Sequence, residues 1–85
     1  MDEPRKLHLT LHVMGTGPRS VRAIVNTRAF CDRHLRGRYE LEVIDIGLRP
    51  DEARAEQLVA VPTLTVHGLG GRRRFVGDMS DAERL

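Results

Sequence analysis

Val61-Pro62-Thr63-Leu64-Thr65-Val66-His67-Gly68-Leu69-Gly70-Gly71-Arg72-Arg73-Arg74-Phe75-Val76-Gly77 is the stretch on which the fold turns. β-Branched and aromatic residues flank four positions of which three are glycine, a composition that opposes a continuous helix and favours two strands closed by a tight turn. The reading is therefore a strand over 61–67, a turn over 68–71 and a strand over 72–77. Upstream, Pro50 with Asp51 and Glu52 opens a short helix to about Leu58, its acids at the positive end of the helix dipole. Before it, residues 39–46 form a strand rich in β-formers, and Gly37 stops a helix that begins at Pro18. Val21, Ile24, Phe30 or Cys31, and Leu35 recur at helical spacing, so they are expected to face the core. From Leu7, apolar Leu7, Leu9, Leu11 and Val13 alternate with His8, Thr10, His12 and Met14, the period of a first strand. Downstream, Ser80 and Glu83 form a capping box, so a last, stunted helix is expected before Leu85.

The order is βαβαββ(α), whose first three elements make a right-handed βαβ unit with parallel strands. With the hairpin added, it is the thioredoxin-like α/β arrangement of a mixed sheet flanked by helices. Eighty-five residues hold one such domain, with residues 1–6 expected to be loose and net stability on the order of 5–10 kcal/mol. Hydrophobic residues at 40% and charged residues at 31% describe a globule, and a single cysteine leaves no disulfide framework. The 14 basic and 12 acidic side chains nearly cancel, so charge alone selects no partner. No apolar run approaches a membrane span or a signal peptide, from which a cytoplasmic protein is expected.

A thioredoxin-like order raises disulfide exchange, which needs a low-pKa thiol in the loop before the first helix. That loop is Gly15-Thr16-Gly17, and Cys31 lies far along the helix at an apolar-facing position, the place of an inert thiol. Val61-Pro62 stands where such folds place a cis-proline, so Pro62 is a structural cis-proline candidate. In glutathione-binding relatives of the fold that backbone meets the peptide, and Asp78 or Ser80 could receive its glutamyl end. Thr16 would then have to supply the hydroxyl, with no evident activator. The Gly15-Thr16-Gly17 turn departs from phosphate-loop patterns at Ser20. His8 and His12 are about 13 Å apart along one strand face, too far to share a metal. Arg72, Arg73 and Arg74 read as a charged edge that discourages strand addition, or as a protein contact. Three aromatics in the whole chain make nucleic-acid stacking a poor fit. Glu40 and Glu42 share one strand face as solvent or partner residues. No cofactor, metal or catalytic residue is expected.

Pro18-Arg19-Ser20-Val21-Arg22-Ala23-Ile24, Tyr39-Glu40-Leu41-Glu42-Val43-Ile44-Asp45, Pro62-Thr63-Leu64 and Gly77-Asp78-Met79-Ser80-Asp81 together resemble the KaiB family of bacterial circadian-clock proteins, without an obvious gap from about Leu7 onward. The resemblance implies a non-enzymatic module that docks on the KaiC ATPase ring. In full clock systems it helps sequester KaiA and displaces a related kinase sensor domain. It also implies a fold switch between a thioredoxin-like monomer and a tetrameric or dimeric ground state with a rebuilt second half, two packings within a few kcal/mol of each other. Propensity over 61–77 favours the thioredoxin-like state in this chain. Arg22, Glu40, Glu42, Gln57 and Arg74 become the expected partner contacts. Some clock members carry Ala, Lys and Lys at the positions of Glu40, Glu42 and Gln57, so the resemblance implies altered charge on the docking surface. The alternatives are a glutathione-binding or transferase-like domain and a KaiB-like sensor domain of a histidine kinase.

Overall fold

A computed structural model describes residues 6–58, 61–68 and 71–80. Its elements are β1 (Leu7–Val13), α1 (Pro18–His34), β2 (Tyr39–Asp45), α2 (Pro50–Ala55), β3 (Thr63–Gly68) and β4 (Gly71–Val76). The sheet order is β2-β1-β3-β4. β1 runs parallel to β2 with Leu11 opposite Val43, and antiparallel to β3 with Leu11 opposite Leu64. β3 and β4 form the hairpin, in register from Thr63 opposite Val76 to Gly68 opposite Gly71. The sheet is thus mixed, with two central strands and two edges. Leu69 and Gly70 of the expected turn lie outside the described residues, but Gly71 takes φ +113°, a region that L side chains rarely adopt.

The core follows from the alternation in β1. Leu9, Leu11 and Val13 are at most 3% exposed and pack with Ala23, Cys31, Leu64 and Met79. α1 meets them through a stripe that shares Cys31 with the one expected and departs from it at Val21. Ser20, Ala23, Thr27 and Cys31 are its buried residues, while Val21 is 48% exposed and Ile24, Phe30 and Leu35 pack at the margin. The spacing of 3, 4 and 4 is equally helical, and the small side chains let the helix sit close to the sheet. Apolarity alone selected the wrong neighbour at Val21. Ser20 resolves its own burial, since its Oγ donates to the Met14 carbonyl at 3.0 Å.

Element ends have local causes. Pro18 occupies the first turn of α1, where its missing N–H is an orphan in any helix, and Val21 N–H donates to Gly17 O at 3.0 Å. α2 stops at Ala55, not near Leu58, because Gln57 takes φ +55° and turns the chain out of the helix. β3 begins at Thr63, two residues later than the sequence pattern implied, since Pro62 has no N–H to give a ladder. The Val61–Pro62 peptide is cis, and Pro62 O accepts the Gly77 N–H at 2.9 Å. Of the features expected at the two ends, the loose start over 1–6 falls on described residues only at Lys6, which is exposed and precedes β1, and the last helix beyond Ser80 lies outside the described residues.

Two core substitutions should move stability in opposite directions. Leu11→Ala removes a side chain that is 0% exposed at the sheet centre, and should cost about 2–5 kcal/mol by urea denaturation. Thr27→Val replaces a buried hydroxyl with no hydrogen-bond partner among the described residues, and should be neutral or stabilising by up to about 1 kcal/mol. A destabilising Thr27→Val would show that the hydroxyl is satisfied.

Candidate functional site: the polar sheet face

The even-numbered residues of β1 point away from α1, and the strand register builds them into three rows. Glu40, His8, His67 and Arg72 form one row, and Glu42, Thr10, Thr65 and Arg74 the next. Ile44, His12, Thr63 and Val76 form the third. Acidic residues occupy the β2 edge and basic residues the β4 edge, about 14 Å apart across three strand spacings. Glu40 takes a 3.3 Å contact from His8 Nδ1 and a 3.9 Å contact from Lys6 Nζ, whereas Glu42 is exposed and without an ion pair among the described residues. Those pairs are solvated and energetically slight.

α2 covers part of this face. His12, 1% exposed, places Nε2 3.2 Å from Glu52 Oε2. One turn on, Glu56 Oε1 accepts from Arg72 at 3.2 Å and Arg74 at 3.1 Å. The helix therefore bridges β1 and β4 through two acids spaced four residues apart on one face. Glu52 and Glu56 as cross-layer partners, and His12 as a buried one, are residues of this face that pattern reading missed. The i, i+4 spacing of the two glutamates facing a basic edge strand was the available signal.

The expected contact residues divide between two sides. Glu40, Glu42 and Arg74 share the polar face, and Gln57 lies two residues beyond the end of α2, exposed on its left-handed turn. Arg22 lies in the other layer, on α1, where its Nε donates to Asp78 Oδ2 at 3.1 Å. Asn26 Nδ2 also donates to Asp78 O at 2.9 Å, so the segment after β4 is tied to α1 and Met79 is held in the core. Asp78 Oδ1 accepts the Ser80 N–H at 3.0 Å. With both oxygens engaged, Asp78 is poorly placed to receive the glutamyl end of glutathione.

Reactive chemistry finds little support in the same geometry. Burial pushes the Cys31 thiol up from its ordinary value, with Asp32 adding to the effect and Arg28 opposing it. Thr16 is exposed on the loop, and the Gly15 N–H that a phosphate would need is given to Asp45 Oδ1 at 3.0 Å. That carboxylate also accepts the Gly47 N–H at 2.8 Å, fastening the loop after β1 to the loop after β2. Among the described residues no three His, Cys, Asp or Glu side chains converge as metal ligands. A groove of about 230 Å³ beside α1 is apolar apart from Arg73. No helix among the described residues is long and apolar enough to cross a membrane.

A family model described as the KaiB domain matches residues 10–85. The chain belongs to the KaiB family. Relatives include the circadian clock oscillator protein KaiB of Prochlorococcus marinus strain MIT 9313, 41% identical over 83 residues that span 96% of this chain and 70% of that protein. KaiB of Nostoc sp. strain PCC 7120 is 36% identical over 86 residues, covering all of this chain and 80% of its own length. Among solved structures, the N-terminal domain of Synechococcus elongatus SasA superposes with a TM-score of 0.79 at 25% identity, over 98% of this chain and 80% of that one. Mitochondrial thioredoxin 3 of Saccharomyces cerevisiae gives 0.74 at 12% identity, over 94% and 74%, and shares the fold alone. The thioredoxin-like architecture and the KaiB resemblance drawn from the sequence both hold.

The staple at Asp78 has a titration signature. Hydrogen bonds from Ser80, through its side chain and its backbone, and then from Arg22 hold the Asp78 carboxyl below its ordinary value. A depressed carboxyl contributes stability above its ordinary titration range and loses it as pH falls through the lowered value. Carbon-13 NMR titration should show Ser80→Ala raising the Asp78 midpoint most and Arg22→Ala less. The reverse order would mean that the ion pair dominates.

Proposed function

We propose that this KaiB-family chain is a non-enzymatic docking module that binds a KaiC-type ATPase ring in a bacterial timing system. The observation that carries the reading is the family match over residues 10–85, which spans every described element but the first residues of β1. The geometry is consistent with it: reactive side chains are buried or committed, while a charged sheet face and a short helix are presented outward. Glu40 and Glu42 on β2, Gln57 after α2 and Arg74 on β4 supply the contacts, with Arg22 contributing on the α1 side. KaiA-like and histidine-kinase partners would be engaged or displaced through the same module. The thioredoxin-like monomer is the docking state, and a rebuilt oligomeric state is its resting alternative.

Acidic Glu42 at an exposed edge selects a partner surface that is neutral or basic opposite it, since like charges brought together at an interface oppose binding. The test is native mass spectrometry of the chain with a KaiC-type ATPase ring, with ATP and with a non-hydrolysable analogue. A complex in at least one nucleotide state is expected, and Glu42→Lys should weaken it about tenfold. Arg36→Ala, in the turn that follows α1, should leave it within about twofold. Absence of a complex in every nucleotide state would remove the docking role.

A further inference from the structure

α2 differs from the other elements in what attaches it. It buries none of its residues. Three polar contacts tie it to the sheet among the described residues: His12 to Glu52 at 3.2 Å, Arg72 to Glu56 at 3.2 Å and Arg74 to Glu56 at 3.1 Å. The acids are partly exposed, at 26% for Glu52 and 30% for Glu56, so water and salt reach the pairs. Beneath the helix the balance is unfavourable. His12 Nδ1 and Thr65 Oγ1, both on the face that α2 covers, are buried with no hydrogen-bond partner among the described residues. Each unsatisfied polar atom opposes closure, because opening returns it to water.

A short helix with no fully buried residue of its own, tied down by polar contacts above two buried polar atoms that lack partners among the described residues, has the properties of a local opening unit. We infer that α2 is a detachable flap seated on the sheet by charge, with His12 as the positioning residue that engages it through Glu52. The docking reading enters in one respect only: if α2 carries partner contacts, its seating sets the fraction of molecules ready to bind. Two cross-layer attachments, one to β1 and one to β4, fix both the position and the direction of the helix. Loss of either leaves a single pivot.

Native-state hydrogen exchange on the free chain tests this without any partner, so failure of KaiC binding and failure of the flap are separate results. The reporters are the amides of Glu56 and Leu58, bonded to Glu52 O at 3.0 Å and Ala53 O at 3.1 Å. Leu11 and Leu64 in the central strands serve as the reference. Glu52→Gln keeps the size and an acceptor but removes the charge, and should speed exchange at Glu56 and Leu58 by roughly three- to tenfold with the reference amides unchanged. In the unsubstituted chain, 1 M NaCl should produce the same selective increase. His12→Phe combined with Glu52→Leu replaces the polar latch and the ring nitrogen without a partner by apolar packing, and should slow those two amides instead. Unchanged exchange in salt and in Glu52→Gln, or a rise shared equally by Leu11 and Leu64, would overturn the inference.

Discussion

The register of β1 between its two neighbours is the constraint from which the rest follows. Because side chains alternate, one pairing sends Leu9, Leu11 and Val13 to α1 and His8, Thr10 and His12 to the polar face, where His12 meets α2. A slip by one residue would exchange the two sets, placing histidines against Ala23 and Cys31 and leucines against water. The parallel partner β2 and the antiparallel partner β3 must both agree with this assignment. Asp45 reinforces it at one end by fastening the loops that follow β1 and β2, while Arg38 O accepts the Leu7 N–H at 2.9 Å at the other.

Much of this was legible in the chain. Period-two alternation located β1, Pro18 and Gly37 bracketed α1, and the glycine-rich interval between β-formers specified the hairpin. The inward stripe of α1 was legible only in part: Cys31 is buried as expected, but hydrophobicity ranks Val21 above Ser20 whereas close helix-to-sheet packing favours the smaller residue. The pairing of His12 with Glu52 was also hidden. The two are 40 positions apart, and only the crossover that lays α2 over the polar rows brings them together. Glutamate on a short amphipathic segment otherwise reads as a solvated helix start.

Family membership and site geometry meet on the same surface. The KaiB match extends through β4, and the structural likeness to the SasA N-terminal domain spans nearly the whole chain. Thioredoxins share the scaffold, yet their chemistry depends on a reactive thiol near a helix start, where this chain has Thr16. What remains exposed is a sheet face graded from acid at β2 to base at β4, partly roofed by a helix held through polar contacts. Such a surface is suited to selecting a partner by charge and shape.

The most direct measurement of the central claim is a set of nuclear Overhauser contacts in solution across the three strand pairs. This register requires cross-strand contacts between Leu11 and Leu64, Leu11 and Val43, and Thr65 and Arg74, all in one species. Medium-range helical contacts through residues 63–68, with the Thr65 to Arg74 contact missing, would contradict it.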